Sequence, residues 1–130
     1  MSKTSDAFKT YYQFNKYNEN DPIIFIHGIG LNHRIWDQQI NYFKKYNTIL
    51  YDLIGHGKTP LNKKQITMKD FSKQLLKLAD SLNINKFHLV GFSLGSLIAQ
   101  DFASSHRDRL NSLILFGTAY KRTEDEKRQI

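Results

Sequence analysis

Four short runs rich in apolar residues divide this chain: IIFI at 23–26, NTILYDL at 47–53, FHLV at 87–90 and LILF at 113–116. Each stops at or just before a glycine: Gly28, Gly55, Gly91 and Gly117. Runs this short, bounded by turn residues, read as strands buried on both faces. Helical patterns lie between them. From about Asn32 to Tyr46, Trp36, Ile40 and Phe43 recur at helical spacing, with Asn32 as N-cap. Met68, Phe71, Leu75, Leu78, Ala79 and Leu82 form a second stripe, opened by Thr67 and Asp70 as a capping box. Leu94, Leu97, Ile98 and Phe102 mark a third helix, running to about His106. Residues 8–14, FKTYYQF, read as a further, aromatic-rich strand.

Strand, helix, strand in this order predicts an α/β domain with a mostly parallel sheet and helices on both faces. At 130 residues one domain with a real core is expected, and not two. Such sheets bind ligands beyond the carboxyl ends of their strands. Here that edge carries HGIG after the first buried run, IGHG after the second and GFSLG after the third.

Gly91-Phe92-Ser93-Leu94-Gly95 follows a strand and opens a helix, the setting of a G-x-S-x-G nucleophile elbow. In that reading Gly91 and Gly95 let strand and helix approach closely, and Ser93 Oγ stands over the sheet edge at the positive end of the helix. The backbone N–H of Leu94 is then one donor to a developing oxyanion. The same five residues also read as a plain strand-to-helix joint with Ser93 as a side-chain N-cap. His27-Gly28-Ile29-Gly30 lies where an elbow needs its second oxyanion donor, the N–H of Ile29; alone it reads as a tight turn. Two such turns at one edge, in this order, are much stronger than either.

The bulk numbers narrow the chemistry. With no cysteine, disulfides, thiolate metal sites and cysteine nucleophiles are excluded, and five scattered histidines offer no metal-ligand spacing. No cofactor is expected. The net charge of +7 would suit a nucleic-acid binder, but the lysines are dispersed singly or in pairs, as on a solvated surface. No signal peptide or segment of membrane-spanning length is seen, so a cytoplasmic protein without nucleic-acid or membrane partners is expected.

IIFIHGIG, LNHRIWDQQI, ILYDLIGHGKT, HLVGFSLGSLIAQDFA and HRDRLNSLILFGTA together resemble the α/β-hydrolase superfamily over nearly the whole length. GLNHRIWDQQ, the GHG turn and TAYKRTEDEKR are most similar to its enol-lactonase-like group. The resemblance implies Ser93 as nucleophile, an oxyanion hole from the N–H groups of Ile29 and Leu94, and His27 as an orienting residue beside it. Asp52 and the GHG turn are implied to be structural, with Ile54 where the family commonly has arginine. Small carboxylic esters or lactones are the implied substrates, hydrolysed through an acyl-enzyme.

A triad also needs an acid and then a histidine after the serine. Only His106 follows Ser93, more than two helical turns away, and Asp101 and Asp108 read as solvent-facing. His88 precedes Ser93 on its own strand, and His33 lies near the oxyanion loop with no assigned role. The expectation is therefore residues 1–130 as the N-terminal part of one hydrolase domain, ending after the sixth family strand, without cap, acid or base. Such a chain is inactive or nearly so. The alternative is a non-catalytic module that self-associates through an exposed sheet edge at LILF.

Overall fold

A computed structural model describes residues 3–117. Five strands form one sheet in the order β1-β3-β2-β4-β5: β1 Tyr12–Asn15, β2 Ile23–Ile26, β3 Thr48–Tyr51, β4 Phe87–Phe92 and β5 Leu110–Phe116. All pairs are parallel except β1 with β3. An isolated antiparallel bridge, Lys3 with Tyr11, precedes β1.

The helices are α1 Asp37–Ile40, α2 Met68–Ser81 and α3 Leu94–His106. Strand order dictates their placement. The crossovers β3→β4 and β4→β5 run one way across the sheet, whereas β2→β3 runs the other. Right-handed connections therefore put α2 and α3 on one face and the β2–β3 segment on the opposite face. The core divides accordingly. Ile24, Ile26, Ile49, Tyr51 and Leu89 pack with Leu75, Leu78, Ile98 and Phe102. On the other side, Phe25, Leu50 and Val90 pack with Trp36, and Ile35, Ile40 and Phe43 close the edge.

Helix α2 matches its expected stripe and start. Thr67 accepts from the Asp70 N–H at 3.2 Å, and Asp70 accepts from the Thr67 N–H at 2.8 Å. The expected continuous helix over 32–46 is corrected: it is a 3-10 turn His33–Trp36, the single turn of α1, and a second 3-10 turn Asn41–Phe43. Asn41, Tyr42 and Phe43 are weak helix formers. Packing of the apolar side onto the sheet preserves the stripe without a continuous i→i−4 ladder. Asn32 caps as expected, accepting from the Arg34 N–H at 2.9 Å.

Two strand boundaries also move. Lys9, with φ 52°, sits in a turn closed onto the Asp6 carboxylate by the Phe8 N–H, so β1 starts only at Tyr12. Strand β5 begins at Leu110, because parallel pairing with β4 extends through residues whose side chains are exposed. The TEDEKR tail lies outside the described residues. Among the described residues, no helix is long and apolar enough to cross a membrane.

Candidate active site

The outgoing connections of β2 and β4 leave in opposite directions although the two strands are neighbours. A crevice therefore opens at their carboxyl ends, the switch point of a parallel sheet. The loop after β2 and the turn after β4 meet there.

The turn is sharp. Ser93 has φ 57° and ψ −117°, a backbone conformation rarely adopted by a residue with a side chain. Its flanking glycines are required by contact. A Cβ on Gly95 would overlap the Ile26 carbonyl oxygen and lie 2.8 Å from that of His27. A Cβ on Gly91 would overlap the Gly95 carbonyl and stand 2.8 Å from the Ser96 Cα. The start of α3 is thus wedged against both β2 and β4, which leaves no room for a relaxed turn at residue 93.

The side-chain N-cap alternative for Ser93 fails, since its side chain makes no cap hydrogen bond. Its carbonyl instead accepts from the Ser96 N–H at 2.9 Å and the Ser96 Oγ at 2.6 Å, and its N–H donates to the Phe116 carbonyl at 3.1 Å. Backbone contacts hold the residue while its half-buried side chain stays uncommitted at the amino end of α3.

Opposite stands Gly28, where an added Cβ would be 3.3 Å from Ser93 Cβ, 3.4 Å from Leu31 and 3.4 Å from Phe92. Gly28 to Leu31 form a turn closed by the Leu31 N–H to the Gly28 carbonyl at 3.2 Å. Gly30, at φ 74°, supplies the positive φ that a type II turn needs at its third position. Neither the Ile29 N–H nor the Leu94 N–H has an acceptor among the described residues. Ile29 projects its side chain into solvent.

Two buried histidines anchor this loop. His27 accepts the Leu53 N–H on Nε2 at 3.0 Å, so the proton sits on Nδ1, which donates to the Gly28 carbonyl at 2.7 Å. Burial pushes its pKa down to about 4, reinforced by nearby His56, against the opposing pull of the Gly28 carbonyl. His27 is therefore a neutral tie between the loops after β2 and β3.

The partner of His33 was not legible in the sequence. Asp52 Oδ1 accepts both the His33 N–H at 2.7 Å and its Nδ1–H at 2.8 Å, while Oδ2 accepts the Lys58 N–H at 2.9 Å. Asp52 is wholly buried and orders the GHG turn. His33 is the side chain that partners this carboxylate. The only sequence signal was an aspartate directly after a buried strand, where a charge needs a partner. Gln74, also buried, accepts from the Ile54 N–H and donates to the Asp52 carbonyl and Thr10 Oγ.

The remaining histidines are engaged elsewhere. His88 Nδ1 lies 2.7 Å from Ser112 Oγ, His106 stacks on Phe102 at 4.9 Å, and His56 Nδ1 bonds the Ile54 carbonyl at 3.0 Å. Asp108 is exposed as expected, but Asp101 is half-buried and accepts from Ser72 Oγ at 2.6 Å. That correction follows from the contact of α2 with α3. Among the described residues, no histidine or carboxylate is hydrogen-bonded to Ser93 Oγ.

The profile of the alpha/beta hydrolase fold matches residues 21–129. The chain is 31% identical over 116 residues to (E)-2-((N-methylformamido)methylene)succinate hydrolase of Acinetobacter baylyi, covering 88% of this chain and 44% of that protein. It is 33% identical over 105 residues to 3-oxoadipate enol-lactonase 1 of the same organism, covering 79% and 39%. A carboxylesterase structure from the thaumarchaeon Nitrososphaera gargenis superposes with a TM-score of 0.86 at 31% identity, covering 98% of this chain and 48% of that one. The chain thus spans less than half the length of these relatives. A mostly parallel sheet of this strand order, matched by the profile of the alpha/beta hydrolase fold over most of the chain, makes this chain a member of the α/β-hydrolase fold family.

Proposed function

We propose that Ser93 is the nucleophile of a hydrolase acting on small carboxylic esters or lactones. Ser93 Oγ attacks the carbonyl carbon, and the N–H groups of Ile29 and Leu94 stabilise the oxyanion. The alcohol leaves, and water then hydrolyses the acyl-enzyme. The observation that carries this reading is the backbone of Ser93: a non-glycine residue in strained geometry whose side chain caps nothing. Strain at a site where the hydroxyl has no structural task is what an exposed nucleophile requires. The enol-lactonase and carboxylesterase relatives support the substrate class.

With no histidine hydrogen-bonded to it among the described residues, the hydroxyl stays protonated and weakly nucleophilic, so these 130 residues alone turn over slowly or not at all. The acid and base belong later in the fold's chain order. The test is labelling by an alkyl fluorophosphonate with and without added imidazole as a surrogate base, read by peptide mass spectrometry. The adduct is expected on Ser93, forming faster with imidazole and absent in Ser93→Ala. An adduct spread over Ser96 and Ser112, or none at Ser93, overturns the assignment. Robust ester turnover that Ser93→Ala abolishes would instead refute the claim that the base is missing.

A second reading rests on β5, which among the described residues has a neighbour on one side only and exposes Leu113, Ile114 and Phe116. An apolar edge of this kind supports a non-catalytic module that pairs strand to strand. It predicts a stable oligomer indifferent to Ser93→Ala. A monomer by light scattering at high concentration removes it.

A further inference from the structure

Beside Ser93 lies an apolar recess of about 240 Å³, lined by Leu31, Ile35, Trp36, Gln39, Phe92 and Phe116. Gly28 joins it to the elbow, since the position of its missing side chain is within 3.4 Å of Ser93, Leu31 and Phe92 alike. The wall is aromatic: Trp36 meets Phe116 edge to face at 5.9 Å and 81°, and Phe92 meets Phe116 tilted at 5.8 Å and 42°. A larger cavity of about 440 Å³, lined by Asp21, His88 and Asn111 among others, sits at the amino ends of the strands, away from the elbow.

Among the described residues, no charged side chain lines the recess. The ionic residues on the segment beneath it, Arg34 and Asp37, face one another at 3.5 Å. Among the described residues its polar lining groups are the exposed amide of Gln39 and the buried indole N–H of Trp36, neither of them charged. A carboxylate entering such a wall would lose hydration and find no cation to replace it. An alkyl chain would lose nothing and cover exposed aromatic surface.

We propose that this recess is a specificity pocket for an uncharged, apolar arm of the ester, and that it selects against substrates carrying a carboxylate on that arm. This deepens the hydrolase reading, on which its catalytic meaning rests. It also separates this chain from relatives such as the succinate hydrolase, whose named substrate is a dicarboxylate.

Trp36 is the only tryptophan and forms part of the recess wall, so its fluorescence reports occupancy without any chemistry at Ser93. The full chain is titrated with methyl hexanoate and, separately, with monomethyl adipate, which has the same length but ends in a carboxylate. Methyl hexanoate is expected to shift Trp36 emission, and monomethyl adipate to bind on the order of tenfold more weakly. Gln39→Arg, which adds a cation at the rim, is expected to bring the two within about threefold. Equal binding of both esters by the natural chain overturns the proposal, as does no shift with methyl hexanoate up to its solubility limit. So does a Gln39→Arg variant that leaves the preference unchanged. If Trp36 senses the neutral ester but Ser93 takes no phosphonate, the hydrolase reading fails and the pocket stands. Labelled Ser93 with a silent Trp36 is the reverse.

Discussion

Replacing Ser93 by glycine should stabilise the fold relative to replacing it by alanine. Both substitutions remove the hydroxyl, which makes no cap hydrogen bond. They differ in backbone strain. At φ 57° and ψ −117° a residue with a Cβ carries a penalty of about 1–3 kcal/mol, which glycine escapes. Glycine's extra freedom in the unfolded chain costs back about 0.5–1 kcal/mol. The balance is about 1 kcal/mol in favour of Ser93→Gly, or about 4 °C in Tm for a domain of this size. Circular-dichroism melts and urea titrations of the two variants side by side measure it. Ser93→Val should fall below both, because a β-branched side chain is stiffer there and the Ser93 Cβ packs so near Gly28 that a Cβ added to the glycine would stand 3.3 Å from it. If Ser93→Gly melts at or below Ser93→Ala, the turn at residue 93 is not strained and strain no longer supports Ser93 as the proposed nucleophile.

Three more outcomes follow from the same geometry. His27 has a folded pKa of about 4, below its unfolded value, so its contribution is complete above the unfolded pKa and lost as pH falls toward the folded one. Between about pH 7 and pH 5 the loss is about 2 kcal/mol, and Tm profiles of His27→Gln, whose amide oxygen can still accept the Leu53 N–H, should be flatter in that window by this amount. Gly95→Ala pushes a Cβ onto the Ile26 and His27 carbonyls, atoms that cannot yield. It should cost about 2–4 kcal/mol in urea unfolding and silence phosphonate labelling of Ser93. Asp52→Ala strips the acceptor from three buried or half-buried donors, two on His33 and the Lys58 N–H. It should destabilise by about 3–5 kcal/mol, whereas His33→Asn, which retains the backbone donor, should cost less by chemical denaturation.

Local signals were legible where local physics governs. The stripe of α2 and its Thr67–Asp70 start depend on contacts three or four residues apart, and they match the structure. The segment from Asn32 to Tyr46 has the same kind of stripe but breaks into single turns. Periodicity reports which side faces the core and not whether the backbone ladder is continuous. Asp101, read as solvent-facing, meets Ser72 of another helix, a contact no pattern within α3 announces.

From the order of apolar runs, helical stripes and glycine turns alone came the parallel sheet, the edge at which chemistry would sit, and the serine placed there. Those follow from short-range propensity and chain order, which a sequence carries openly. The pairing of His33 with Asp52, the neutral tautomer of His27 and the apolar recess formed by Trp36, Phe92 and Phe116 were decided only when separate loops converged on one crevice. Each depends on distances across neighbouring strands, and such distances are set by packing rather than by spacing along the chain.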